Sequence, residues 1–135
     1  RGRRGRAWVV PEGNLSATLV MVPEGGPDQA ALRSFVAALA LFDAVAEVRG
    51  DARGLALKWP NDVLLNGGKL AGILLESASA ARGVAYLAIG IGVNLAAKPE
   101  MAGDALFPPV CLADHGEAVR CDVMMICPMN LHGMR

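Results

Sequence analysis

Asn61-Asp62-Val63-Leu64-Leu65-Asn66-Gly67-Gly68-Lys69-Leu70-Ala71-Gly72-Ile73-Leu74-Leu75-Glu76 is the run on which the architecture turns. Two β-prone segments, residues 62–65 and 69–76, flank Asn66-Gly67-Gly68, whose residues tolerate the positive φ of a tight hairpin turn. A hairpin is predicted. A two-residue turn centred on Asn66-Gly67 or on Gly67-Gly68 sets Asp62 opposite Ala71 or Ile73, and either register puts Asp62 on the same face as Lys69. At ~3.3 Å per residue, the acid and the long basic side chain then stand roughly 7 to 13 Å apart along the strand, with room for a substrate between them. The competing reading is a solvated face with one charge per strand, Asn61 and Asp62 serving as turn caps.

Outward from the hairpin, residues 55–59 read as a short strand ended by Pro60, which cannot donate to a ladder. Upstream, Asp28 is predicted to cap a helix that runs to about Val48, with apolar positions Leu32, Phe35, Val36, Leu39 and Phe42 at helical spacing. Before it, residues 7–11 and 15–22 are β-prone and joined by Glu12-Gly13-Asn14. Leu15, Ala17, Leu19 and Met21 alternate onto one face. Downstream, residues 77–83 are expected to form a loop. Residues 84–95 read as a buried strand whose Gly90 and Gly92 permit close approach of a ligand or another backbone. The order implies an α+β fold, a mostly antiparallel sheet with helices packed on one face. Residues 1–119 are expected to make one domain. Residues 120–135, rich in Met and Cys without periodicity, are expected to be an atypical tail, disordered or unrelated to the fold.

The chain has 135 residues, 53% of them hydrophobic, enough for one core. The formal net charge of +0 excludes a global pull toward nucleic acid or anionic membrane, so any basic site is local. No apolar run approaches the ~20 residues of a membrane span, and no signal-peptide pattern is seen, so a soluble cytoplasmic protein is expected. Cys111, Cys121 and Cys127 lack the short spacing of zinc sites and are expected to be free thiols.

Three stretches bear chemistry. In Arg1-Gly2-Arg3-Arg4-Gly5-Arg6, glycines let the backbone bend while guanidiniums offer forked donors to phosphate or carboxylate. A flexible arm on RNA phosphates is the alternative, and Trp8 directly after the run favours a structured loop. Lys58-Trp59-Pro60-Asn61-Asp62 leads into the hairpin and Lys69-Leu70-Ala71-Gly72. Gly90-Ile91-Gly92-Val93-Asn94 lacks the third glycine of a dinucleotide fingerprint, and Asn94 is either a turn residue or an amide that reads an adenine edge. Asp43, Glu47, Glu76, His115 and His132 read as structural or solvent-facing.

In this order the stretches resemble the biotin protein ligase (holo-carboxylase synthetase) family, over about residues 1–98 and weakly to Val119 through Pro108-Pro109-Val110-Cys111-Leu112. The resemblance implies a class II synthetase-like catalytic domain. It also implies a two-step reaction, in which biotin attacks the α-phosphate of ATP and the acyl-adenylate is captured by a lysine of a biotin carboxyl carrier protein. By motif position it implies Lys69, Asp62 and Arg3 as catalytic, and Arg1, Gly2, Arg3, Lys69 and Gly72 as biotin-binding. Arg4, Gly5, Arg6, Trp8, Asn61 and Asn94 fall on the adenylate side. Lys69 is similar to the lysine that bridges the biotin carboxylate and α-phosphate, and Asp62 to the acid that orients the incoming lysine or a metal. ATP, Mg²⁺ and biotin are the implied small molecules, and a homodimer is a family possibility.

The family's upstream biotin-ring segment, the glycine before Arg1 and the small C-terminal domain of many members are absent from these residues, as is any DNA-binding winged helix. The chain is therefore expected to be a fragment and inactive alone. The alternatives are a lipoate-type ligase, a non-enzymatic Arg/Gly RNA-binding module, and a truncated product that folds poorly.

Overall fold

The structure is a computed structural model, and it describes residues 9–24, 26–81, 83–100 and 106–116. At the predicted hairpin, β3 (Asp62–Leu65) turns through Asn66 (φ 49°) and Gly67 (φ 81°) into β4 (Gly68–Ser79). Asn66 tolerates the left-handed region better than other side-chain-bearing residues, which is why the turn centres there. β2 (Leu55–Lys58) pairs with β3, and it stops before Pro60 as expected. β1 (Leu15–Met21) and β5 (Val84–Val93) complete a five-stranded sheet of order β1-β5-β4-β3-β2, with all four strand pairings antiparallel.

The expected hairpin between residues 7–11 and 15–22 is corrected. Residues 9–11 carry no strand, Glu12-Gly13 is a turn, and β1 pairs with β5 instead. β5 runs between β1 and β4, which accounts for its apolar composition. On the helix-facing side Leu87, Ile89, Ile91 and Val93 meet Leu15, Ala17, Ala71 and Ile73 in the core.

α1 (Pro27–Arg49) lies on that face. The predicted Asp28 cap is also corrected: Gly26 is the N-cap, Pro27 starts the helix with its φ already set, and Asp28 falls in the first turn. The helix ends at Gly50, whose φ of 79° suits a residue without a Cβ. The buried side of α1 is largely alanine: Ala30, Ala37, Ala38, Ala40 and Ala44, with Leu41 and Val45. Of the predicted apolar stripe, Leu32, Phe35 and Leu39 are exposed, while Val36 and Phe42 are half-buried. α1 is apolar on two sides, so periodicity alone does not say which side meets the sheet.

Residues 106–116 return along the start of β4. The Lys69 N–H donates to the Pro108 carbonyl at 2.7 Å and the Val110 N–H to the Lys69 carbonyl at 3.0 Å, forming a parallel bridge of Lys69 with Pro109. Gly68 is required here, because a Cβ would run into the Val110 side chain and sit 2.9 Å from the Pro108 oxygen. The chain then ends its described path in a 3-10 turn, Leu112–His115, with Leu112 fully buried.

Asn14 fastens the start of β1 to the chain that leaves β5. Its Oδ1 accepts from the backbone N–H groups of Leu95 (3.0 Å), Ala96 (3.0 Å) and Ala97 (3.1 Å), and its Nδ2 donates to the Ala97 carbonyl at 2.7 Å. Asn14→Ala is expected to lower unfolding stability by about 2 kcal/mol, since part-buried donors lose their acceptor together. A urea midpoint unchanged by the substitution would refute this role.

Among the described residues no helix is long and apolar enough to cross a membrane. Cys111 is buried as a free thiol, while Cys121, Cys127 and all of residues 120–135 lie outside the described residues.

Candidate functional site

The helix packs on one face of the sheet, and the site is on the other. On that face one row of cross-strand partners runs Asp62, Gly72, Gly92, Ser16, and the next carries Leu74, Gly90 and Thr18. Glycines on two neighbouring central strands leave this part of the face without side chains, Gly72 and Gly92 being buried and Gly90 half-buried. At Gly90 a Cβ would meet only ordinary contacts, the Leu74 oxygen at 3.6 Å and Cβ at 3.9 Å, so packing within the fold does not demand glycine there.

The register that aligns this row is set by a bulge. Leu65 pairs with Gly68 and Leu64 with Lys69, as an Asn66-Gly67 turn requires, but Val63 then pairs with Ala71 and Asp62 with Gly72. Leu70 is the extra residue. The predicted partners of Asp62, Ala71 or Ile73, are therefore corrected to Gly72. The shared face of Asp62 and Lys69 is observed, because Leu64, the partner of Lys69, alternates onto the side of Asp62.

The predicted gap between acid and base is closed. Lys69 Nζ lies 2.7 Å from Asp62 Oδ1, and Lys58 Nζ donates to Oδ2 at 2.8 Å. The lysine side chains are about one-third exposed, whereas that of Asp62 is only 9% exposed. Burial works to raise the Asp62 carboxyl, but hydrogen bonds and charge from Lys58 and Lys69 outweigh it and hold the group below its ordinary value of 3.8. Lys58 also stands over the Phe107 ring, 5.2 Å from its centroid. The sequence names Lys58 within its motif but gives it no role, and Phe107 is not singled out. The i,i+4 spacing of Lys58 and Asp62 carries no signal outside a helix, and Phe107 arrives from a segment without periodicity.

Two other predicted site residues are tied into the frame. Asn61 donates its side-chain amide to the Ile73 carbonyl, and its own carbonyl accepts from the Ile73 N–H at 2.9 Å. The Asn94 amide donates to the Val110 carbonyl at 3.1 Å and reaches the Lys69 carbonyl at 3.5 Å. Both amides hold β4, which carries Lys69, against its neighbours. Arg1, Gly2, Arg3, Arg4, Gly5, Arg6 and Trp8 lie outside the described residues. Asp43, Glu47, Glu76 and His115 are exposed, as expected, and His132 lies outside.

Among the described residues no group of three or more His, Cys, Asp or Glu side chains could hold a metal ion. Both Asp62 oxygens are engaged by ammonium groups. This donor set does not fit a protein-held Mg²⁺.

Chemically, two ammonium groups fixed by one buried carboxylate, beside a row of glycines without side chains, suit an anion lying across the sheet. Comparison with known proteins identifies the family. Residues 1–94 match the Biotin/lipoate A/B protein ligase family. The chain is 57% identical over 122 residues to a biotin–[acetyl-CoA-carboxylase] ligase of Paracoccus denitrificans, covering 88% of this chain and 51% of that protein. It is 38% identical over 97 residues to the bifunctional ligase/repressor BirA of Escherichia coli K12, covering 71% of this chain and 30% of that protein. The biotin protein ligase of Leishmania major, solved in complex with biotin, superposes with a TM-score of 0.76 at 30% identity, over 98% of this chain and 57% of that one. The chain thus spans about half the length of the Paracoccus relative. With the family pattern matched over most of its length, the chain belongs to the biotin/lipoate A/B protein ligase family.

Proposed function

We propose that this chain carries the adenylate-handling part of a biotin protein ligase, which uses ATP to form biotinyl-5′-AMP and passes biotin to a lysine of a biotin carboxyl carrier protein. The observation that supports it best is the Lys58–Asp62–Lys69 cluster beside Gly72 and Gly92. In this reading a carboxylate oxygen of biotin bonds to the α-phosphorus, the bond from that phosphorus to the bridging oxygen breaks, and pyrophosphate leaves with the electron pair. Lys69 stabilises the charge gathering on the α-phosphoryl oxygens, and Arg1 and Arg3 add to it. Asp62, held ionised by its two lysines, is a weak base at neutral pH, so its part is to orient those ammonium groups and the incoming acceptor lysine. Mg²⁺ enters bound to the phosphates of the nucleotide, as suits an ion that keeps few protein ligands. The reaction is assigned to the cytoplasm.

The test is titration of the 135-residue chain with a non-hydrolysable biotinyl-adenylate analogue and, separately, with single-stranded RNA. Saturable one-to-one binding of the analogue is expected. No analogue binding, together with RNA binding that weakens steeply with salt, would replace this reading with an Arg/Gly arm on nucleic acid.

A further inference from the structure

From the sheet centre to its edge, the site face presents Gly92 on β5, Gly72 and Lys69 on β4, Asp62 on β3 and Lys58 on β2. The two lysines are therefore not equivalent. Lys69 borders the glycine floor, and Lys58 stands further out on the edge strand, bound to the other oxygen of the same carboxylate. An ammonium has three N–H donors. Lys58 directs one to Asp62 Oδ2, has the Phe107 ring on another side, and is 37% exposed to solvent.

We propose that Lys58 is a second phosphate-contacting residue, which grips the leaving pyrophosphate while Lys69 holds the α-phosphate. This rests on the ligase reading above. In-line displacement puts the leaving group opposite the nucleophile. A carboxylate that approaches over the glycine floor therefore expels pyrophosphate toward the sheet edge, where Lys58 is. The bond between the α-phosphorus and its bridging oxygen breaks, the electron pair goes to pyrophosphate, and Lys58 donates hydrogen bonds to the departing oxygens without giving up a proton. Asp62 keeps the ammonium aimed before the nucleotide arrives.

Two probes separate the roles: adenosine 5′-(α,β-methylene)triphosphate, which has the outer phosphates, and the biotinyl-adenylate analogue, which lacks them. Titrating the 135-residue chain by calorimetry, Lys58→Met is expected to weaken the triphosphate by about ten-fold or more and the adenylate analogue by less than about three-fold, the loss of a charge-assisted contact to the outer phosphates alone. Lys69→Met is expected to weaken both, and Lys58→Arg to restore the triphosphate. Should Lys58→Met not fold, Lys58→Gln carries the same expectation. Equal weakening of both probes would reduce Lys58 to a support for Asp62, and no weakening of either would remove it from the site; each result overturns the inference alone. A wild-type chain that binds neither probe overturns the reading that this chain handles the adenylate, and this inference with it, and leaves the family membership standing.

Discussion

Lys69→Met is expected to weaken binding of the biotinyl-adenylate analogue by about 10²-fold, the equivalent of roughly 2 to 3 kcal/mol for charge-assisted hydrogen bonds at a partly desolvated phosphoryl group. The methionine keeps the length and apolar stem of lysine, so packing at the bulge is preserved and only the ammonium is lost. Asp62 retains Lys58 on its other oxygen, so the carboxylate is not stranded. The thermal midpoint should move little beside the change in binding. Calorimetric titration of both proteins, with a melt of each, checks the two statements. An affinity within about three-fold of wild type would take Lys69 away from the phosphoryl position, since no charge-assisted contact is worth so little.

Asp62→Ala is expected to act in the opposite way, on folding more than on any single ligand contact. It removes the shared counter-ion of two ammonium groups that are each two-thirds buried, leaving like charges facing one another at the end of a short strand. Breaking a fully buried pair costs about 3 to 5 kcal/mol. The partial exposure of both lysines screens part of that, so a loss of about 2 to 3 kcal/mol is expected here. Adding Lys58→Met to Asp62→Ala should recover part of it by removing the repulsion. Because the Asp62 carboxyl is held below its ordinary 3.8 in the folded chain, its contribution is fully present above that value and is lost as pH falls through the lower, folded value. The stability difference between wild type and Asp62→Asn should therefore stay flat from neutral pH down to about pH 4 and shrink only below it. Urea denaturation at stepped pH reads both effects, and a difference that closes between pH 7 and 5 would contradict the ion-pair account.

Much of the architecture was legible in the residues. The Asn66-Gly67 turn, the stop at Pro60, the apolar run of β5 and the helix between two breaks rest on local chemistry: preferred φ, missing donors and side-chain alternation. Each of these is written into a few adjacent residues. The face shared by Asp62 and Lys69 was legible too, because period-two alternation follows directly from the turn. What went wrong lay at longer range. β1 takes β5 as its partner across most of the chain, and nothing in residues 9–14 says so. The buried side of α1 depended on size and not on apolarity, so of the stripe of large side chains only Val36 and Phe42 reach the core, while Leu32, Phe35 and Leu39 face away from it.

The sequence by itself determined most of the elements, the antiparallel sheet with a helix on one face, and the family pattern of Lys58 to Asp62, Lys69 to Gly72 and Gly90 to Asn94. Only the tertiary structure decided how those pieces act on one another. The Leu70 bulge sets Asp62 beside Gly72, the carboxylate binds both lysines at once, and Asn14, Asn61 and Asn94 prove to be fasteners of the frame. The physical reason is that a turn or a strand is fixed by the torsional preferences of neighbouring residues. A bulge, an ion pair across three strands and an amide shared between distant carbonyls exist only once the chain has closed on itself.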